Sequence, residues 1–499
     1  GRSGESLWAA LRACAARQYS AGNTWMSVAA PRYYREKQQA VESFLRFAQG
    51  ESFPAWPLEV FIEVSNICDL QCAMCPTFSA LSTDRFFALK REDRGVIAYE
   101  TATEPLDEVL KHALVIHASG YGEPTIHPQY KELLQYLSRY EALIDFFTNG
   151  MHLDEELCKF LVQGHVHRIS ISFSGVTAEE YENMYIGGDF ERVLGGIRRL
   201  ARAKQAANSQ YPRIEINSLA FQHHIEKLPA FVQLMADAGA NVIHVKPLRL
   251  YAGKITELKH HESHMHPERE AHLVQEAKAL ADTLGVHLAS APYEATQKHA
   301  LNYERTFNAM PDAEREALFR RILDEKLPVS QIKAVANSAE KREEKKAAAN
   351  DERKMRERHA LSVSNDDFFA HKGIPCFEPF KTFHASFDGR VKTCCFAETK
   401  HWIGHLQEAS GSEIWNNAAY QAIRQHALNG EYLTAMCGAC MKKNAYPKQH
   451  SFQSHFTMYA EWFEKVFQRV FLPEVRDAVR TVPSSASILA AHQSREENR

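Results

Sequence analysis

No run of apolar residues in this 499-residue sequence approaches the ~20 needed to cross a bilayer, and nothing at its start joins a basic, an apolar and a cleavage-site region. These absences set the expectation of a soluble, cytoplasmic protein with no membrane partner. An excess of one charge is missing as well. Lysine and arginine number 59 against 62 aspartates and glutamates, a net charge of −3, which gives no broad electrostatic case for a nucleic-acid partner. Cysteine is sparse outside two places. Of ten, Cys68, Cys72 and Cys75 lie together and five more fall between 376 and 440, while Cys14 and Cys158 stand apart. Cys158 sits on the apolar stripe of a predicted helix and reads as core. Thiols clustered in a reducing compartment are ligands or catalytic groups rather than disulfides.

The composition, 45% hydrophobic and 24% charged, is that of a globular chain long enough for two or three domains. Residues 1–57 read as a helical N-terminal segment with a Pro-rich exit, FPAWPLEV. From 58 to 250, strand and helix patterns alternate. The strands are EVFIEVS (59–65), LVIHASG (114–120), IDFFTNG (144–150), RISISFSG (168–175), RIEINSLA (213–220) and VIHVKPL (242–248). Between them lie amphipathic helices such as FERVLGGIRRLARAK, where Phe190, Val193, Leu194, Ile197 and Leu200 form one stripe. Six such repeats predict a parallel sheet with right-handed crossovers.

Alternation within the strands says more. Val60, Ile62, Val64, Ile116, Ala118, Ile169, Ile171, Phe173, Ile214, Ile216, Ile243 and Val245 share one face. Glu63, Ser65, His117, Ser119, Ser170, Ser172, Ser174, Glu215, Asn217, His244 and Lys246 share the other. A closed eight-stranded barrel fills its interior with aliphatic layers, and an open parallel sheet is apolar on both faces. One polar face therefore predicts an α/β fold of the partial (β/α)6 TIM-barrel kind, its apolar face under helices and its polar face lining a cavity.

Residues 251–362 read as a charged helical insert. Its histidines 260, 261, 264 and 266 are read as a surface loop before a metal site, and the run AEKREEKKAAANDERKMRERH as a solvated helix. Residues 363–445 turn to short strands. In HASFDGRVKTCC, Asp388-Gly389 between alternating runs predicts a two-residue hairpin, followed by a helix at 412–428 and the Cys437-Gly-Ala-Cys440 turn. Residues 446–499 read as an aromatic packing helix and a polar tail.

The Cys68-x3-Cys72-x2-Cys75 loop follows the first strand. Closely spaced thiolates select zinc, copper(I) or iron-sulfur clusters, and a structural zinc would want a fourth local ligand that the next residues do not offer. An open iron-sulfur site, a zinc loop completed from elsewhere and three core cysteines all remain readings of the spacing alone.

Taken in order, that loop, GYGEP (120–124) after the second strand, TNG (148–150) after the third and SISFSG (170–175) on the fourth resemble the radical S-adenosylmethionine (SAM) superfamily over residues 58–250. The resemblance implies a 4Fe-4S cluster held by Cys68, Cys72 and Cys75, whose open iron binds SAM. One electron, from a reductant such as flavodoxin or ferredoxin, then yields a radical that takes hydrogen from substrate. It further implies cofactor contacts from Gly120, Tyr121, Gly122, Glu123 and Pro124, from Thr148 and Asn149, from Ser172, Ser174 and Asn217, and from the Val245-Lys246 region. Two departures stand out. Tyr121 replaces the first Gly of the usual Gly-Gly-Glu-Pro loop, and MYIGG stands where many relatives carry an Arg before the paired Gly.

Cys376-x17-Cys394, the hairpin and Cys437-x2-Cys440 resemble the auxiliary-cluster domain called twitch, a shortened SPASM, with a pattern similar to 2-deoxy-scyllo-inosamine dehydrogenase. The resemblance implies a second 4Fe-4S cluster on Cys376, Cys394, Cys437 and Cys440. Adjacent strand residues face opposite ways, so either Cys394 or Cys395 is the ligand, and the resemblance favours Cys394. A fully ligated cluster suits electron removal. The expected function is therefore a radical SAM oxidoreductase acting on a small hydroxylated molecule, a sugar or cyclitol, with His244 and Lys246 as candidate bases. The alternatives are a maturase of a ribosomally made peptide and a non-catalytic metal-binding protein.

Overall fold

The computed structural model describes residues 32–48, 50–81, 94–248, 267–290, 378–394 and 403–428. Six parallel strands stand where the alternation places them: β1 (Glu59–Glu63), β2 (Val115–Ser119), β3 (Leu143–Thr148), β4 (Arg168–Ser172), β5 (Arg213–Ala220) and β6 (Val242–Pro247). Their apolar face is buried throughout, with Val60, Ile116, Ile169, Ile214 and Ile243 all fully covered.

The cover is a layer of helices. The N-terminal α1 (Tyr34–Ala48) precedes β1, and α2 (Asp107–His112), α3 (Tyr130–Ser138) and α4 (Glu155–Phe160) cross over between β1, β2, β3 and β4. The short α5 (Ala178–Glu182) and the longer α6 (Phe190–Ala206) join β4 to β5, and α7 (Leu228–Ala238) joins β5 to β6. Local sequence sets their ends. Asp154 and Asp189 accept the backbone N–H groups of Leu157 and Arg192 at 2.8 Å as N-caps. Gly239, at φ +91°, ends α7 in the left-handed turn that favours glycine.

The sheet runs further than the six repeats. After α8 (Pro267–Leu284), a seventh strand, β7 (His287–Ser290), pairs in parallel with β6. Those residues lie within the stretch read as the charged insert, because four residues are too few to establish alternation. At the other edge, β8 (Thr382–Ala385) pairs in parallel with β1, and β9 (Arg390–Lys392) and β10 (Gly404–His405) follow antiparallel. The order is β10-β9-β8-β1-β2-β3-β4-β5-β6-β7. The C-terminal hairpin thus extends the barrel sheet.

Its turn differs from the two-residue expectation. Ser386 N–H donates to Arg390 O at 2.7 Å and Gly389 N–H to Ser386 O at 2.9 Å, which leaves Phe387, Asp388 and Gly389 as a three-residue loop. Gly389 takes φ +86°, the left-handed position such loops need. The expected 412–428 helix divides into α9 (Gly411–Trp415) and α10 (Ala418–Leu428), since Asn417 Oδ1 accepts Tyr420 N–H at 2.9 Å and starts a new helix. Docking on the barrel is apolar and polar together. Phe47 of α1 stacks on Phe380 at 4.5 Å, Trp415 Nε1 donates to Pro54 O at 3.0 Å, and the Arg424 guanidinium lies 4.0 Å from the Trp415 ring centre.

No helix among the described residues is long and apolar enough to cross a membrane. Residues 1–31, His260, His261, His264 and His266, the charged run, Cys376, Cys395, Cys437, Cys440 and residues 446–499 lie outside the described residues.

Candidate functional site

The cysteine loop leaves β1 at the C-terminal end of the barrel and is stitched to the three loops that follow β2, β3 and β4. Gly122 N–H donates to Ser65 O at 2.9 Å and Glu123 N–H to Ile67 O at 2.8 Å, both from GYGEP. From the loop itself, Gln71 N–H donates to Ile186 O at 2.9 Å and Ala73 N–H to Met184 O at 2.8 Å. MYIGG, where the expected Arg is missing, therefore holds the loop through its carbonyls. Cys75 N–H closes a turn on Cys72 O at 2.9 Å, and Phe78 N–H donates to Cys75 Sγ at 3.4 Å.

This contact explains the glycines of GYGEP. A Cβ on Gly122 would stand 2.1 Å from Ile67 O, and one on Gly120 would stand 2.6 Å from Ser65 O. Both glycines let two backbones meet. Tyr121 falls between them and tolerates a side chain, with the Lys392 ammonium of β9 5.6 Å from its ring centre. Pro124 opens a single 3-10 turn.

Glu123 is buried and serves the scaffold. It accepts from the Thr125 N–H (3.1 Å) and hydroxyl (2.5 Å), the Thr148 hydroxyl (2.8 Å) and Asn149 N–H (2.6 Å). Burial pushes its carboxyl up against those four donors. Asn149 continues the chain of contacts, its Nδ2 donating to Asp69 Oδ1 at 2.6 Å, while His152 Nε2 meets Asp69 Oδ2 at 2.9 Å. Burial opposes ionisation of Asp69, but His152 and Asn149 outweigh it and hold that carboxyl below its usual range. Asp69 and His152 were absent from the sequence-based site. The signal for Asp69 was its place inside the cysteine motif.

The strand residues expected to touch SAM divide. Ser172 is half-buried at the end of β4, in register with Asn217. Both side-chain amide atoms of Asn217 are buried without a hydrogen-bond partner. Ser174 is instead enclosed, bonded to Ser218, Tyr185 and Leu219 N–H. The side chain of Val245 is in the helix-covered core, so among side chains of that region only Lys246 is offered to the lumen.

His244 and Lys246, the two candidate bases, have separate neighbours. His244 Nε2 lies 2.9 Å from Glu215 Oε2, and the Lys246 ammonium sits 5.7 Å from the Phe147 ring centre. Enclosure by its neighbours lowers the pKa of Lys246 although the side chain still meets solvent. The Glu215 that His244 meets belongs to a belt of ion pairs across the N-terminal half of the lumen. Arg213 pairs with Glu215 at 2.6 Å, Asp145 with Arg168 and, at 2.7 Å, with His117, and Glu59 with Lys381 at 3.0 Å. Burial works against the His117 cation, but Asp145 and Glu59 raise its pKa to about 9. Asp145 in turn is held down to about 2 despite its own burial, by Arg168 and His117.

Cys68, Cys72, Cys75 and Cys394 are half-buried, and none is in a disulfide. Burial pushes the Cys68 thiol up to about 12 and raises Cys72 and Cys75 as well. Such thiols stay neutral until a metal takes them, and coordination deprotonates them outright. No three ligating groups among the described residues close on one point as a preformed ion site, so the fit rests on donor type and position. It is a good fit on both. Soft donors share one loop, and the orphaned amide of Asn217 offers a donor and an acceptor to a ligand above the sheet.

Residues 62–212 match the model of the Radical SAM superfamily. The chain carries a radical SAM domain. A second model, described as an iron-sulfur cluster-binding domain and named SPASM, matches residues 376–441. Together the radical SAM and SPASM domains imply 4Fe-4S clusters and SAM as cofactors. Among curated relatives, mycofactocin maturase MftC of Mycobacterium ulcerans (strain Agy99) is 24% identical over 186 residues, 37% of this chain and 46% of that protein. PqqA peptide cyclase of Gluconobacter oxydans (strain 621H) is 25% identical over 202 residues, 40% of this chain and 52% of that protein. The radical SAM chain thus spans about half the length of the relatives it matches. Among solved structures, Streptococcus suis SuiB bound to S-adenosylmethionine gives a TM-score of 0.48 at 12% identity, covering 80% of this chain and 81% of that one.

Proposed function

We propose that this radical SAM enzyme matures a ribosomally made peptide. The observation that carries the reading is the likeness of its radical SAM core to proteins named a maturase and a peptide cyclase, joined to a SPASM domain. Cys68, Cys72 and Cys75 hold the first cluster in this reading, Asn217 and Ser172 contact SAM, and Cys376, Cys394, Cys437 and Cys440 hold the second. When bound, these groups supply a hydrogen-abstracting radical and an electron acceptor. The protein's part is to hold the cysteine loop still and to orient the substrate over a polar lumen. The reading as a sugar or cyclitol dehydrogenase has less support, because the relatives named a maturase and a peptide cyclase favour a peptide substrate and one of its two candidate bases, His244, is engaged by Glu215.

The test is anaerobic turnover with SAM, a flavodoxin or dithionite as reductant, and short peptides encoded beside this gene. Mass spectrometry should find 5'-deoxyadenosine formed in step with a peptide that is two hydrogens lighter and internally linked, or epimerised with solvent deuterium gained. Peptides left untouched while a polyol loses two hydrogens would reverse the ranking.

A further inference from the structure

Phe147 is an uncovered aromatic ring on the polar face of the sheet. It stands two positions beyond Asp145 on β3, so both side chains face the lumen. Its neighbour Phe146 is fully buried against Tyr130 of α3, whereas Phe147 is 42% exposed. A large apolar group left open in a concave site marks a contact still to be made.

Lys246 reaches this ring from the other side of the lumen. β6 is three strands away in the order β3-β4-β5-β6, yet the Lys246 ammonium lies 5.7 Å from the Phe147 ring centre. Between them stand Ser170 and Ser172 of β4, whose side chains are short enough to let the lysine cross.

Charge around that ammonium is uneven. Nearby carboxylates are engaged by other groups: Asp145 by Arg168 and His117, and Glu215 by Arg213 through Oε1 and by His244 through Oε2. No ion pair or side-chain hydrogen bond among the described residues includes the Lys246 ammonium. Burial lowers its pKa, which Glu215 offsets only in part and Arg168 lowers further. An open ring face beside an ammonium that lacks a counter-ion is complementary to methylenes ending in a carboxylate.

We propose that Phe147 and Lys246 anchor an acidic residue of the peptide substrate, the ring taking its methylenes and the ammonium its carboxylate. The anchor rests on the peptide reading and names a specificity determinant within it. As the cation of this pair, Lys246 binds and does not act as a base.

The test uses the reconstituted, SAM-bound chain and three synthetic probes: acetyl-Gly-Glu-Gly-amide, acetyl-Gly-Gln-Gly-amide, and acetyl-Gly-Gln-Gly with a free C-terminal carboxylate. Dissociation constants come from saturation-transfer NMR titrations. The wild type should bind the Glu amide tighter than the Gln amide by about fivefold or more, and Lys246→Met should bring that ratio to about one by weakening only the acidic probe. Phe147→Ala should weaken both amides about threefold, since both carry the methylenes. Equal binding of the two amides by the wild type, or a ratio that survives Lys246→Met, overturns the proposal. If Lys246→Met fails to load, Lys246→Gln is read in the same way. Tight binding of the free-acid probe alone would put a chain terminus on Lys246 and refute the side-chain assignment. Loss of SAM affinity by about tenfold in Lys246→Met, with the ratio intact, would give the ammonium to the SAM carboxylate and is equally fatal. The peptide reading fails separately: a chain that holds the Glu probe through Lys246 but leaves every encoded peptide unmodified in turnover keeps the anchor and loses the maturase.

Discussion

The two ends of the barrel lumen are lined by the same residue types and are built in opposite ways. At the N-terminal ends of the strands, charge meets charge: Glu59 with Lys381, Asp145 with His117 and Arg168, and Glu215 with Arg213, while His244 hydrogen-bonds the same Glu215 carboxylate. At the C-terminal ends, polar groups either stitch the cysteine loop in place or stay unsatisfied, as the Asn217 amide does. Closed pairs fix a sheet, whereas open donors and acceptors receive a ligand. A polar side chain at the floor should therefore matter for stability, and one at the mouth for binding.

That contrast can be broken at four points, the largest effect first. Cys72→Ala should abolish SAM cleavage, scored as 5'-deoxyadenosine, and lower the iron content by about four per chain while leaving the fold intact. Unfolding of this variant before iron is added would mean that the loop is structural. Asp145→Asn should destabilise the protein by about 3–5 kcal/mol in denaturant titration, since it takes a buried carboxylate away from both His117 and Arg168. A cost below about 1 kcal/mol would place the belt among pairs worth little.

The third test uses pH. Because the folded pKa of His117 lies near 9, above its ordinary value, its charge contributes stability that is present below about pH 6.5 and is lost as pH rises through 9. Lys37 has the opposite sign, as burial lowers its pKa to about 7, so that stability is gained as pH rises from there. A His117→Gln variant keeps the Lys37 contribution. The wild type should therefore lose on the order of 2 kcal/mol more than the variant between pH 6.5 and 9.5, and superimposable profiles would deny the belt its charged histidine. Last, Asn217→Ala should weaken SAM binding about tenfold, about 1.4 kcal/mol, at no cost in melting temperature, because the removed atoms have no partner to lose. A drop in melting temperature with unchanged SAM affinity would move Asn217 to the structural side.

Much of this was readable from the chain. The six barrel strands, their apolar face and the placing of the cysteine loop follow from alternation and spacing, which the backbone imposes directly. The difference between floor and mouth was not readable, since His117, Glu215 and His244 share the alternation of Ser172 and Asn217. Only tertiary pairing separates a satisfied histidine from an available one. Glu123 and Ser174 show the same limit, as both sit in site motifs yet spend their hydrogen bonds on the scaffold. Asp69 and His152 lie outside the sequence-based site for the converse reason, the partners of Asp69 being Asn149 and His152, 80 and 83 residues away. The seventh strand, four residues long, is too short to show alternation, and Asp-Gly serves both two- and three-residue hairpins.

The pairing of β8 with β1 has a consequence in time. Glu59 and Lys381 are 322 residues apart, so at a synthesis rate of about 5–20 residues per second the free edge of β1 waits roughly 15 to 60 s for its cover. During that interval a nascent chain presents an unpaired strand edge, a template for misassociation, immediately before the cysteines that take up iron. Translation speed, chaperone occupancy and delivery of the first cluster thus compete for the same few residues.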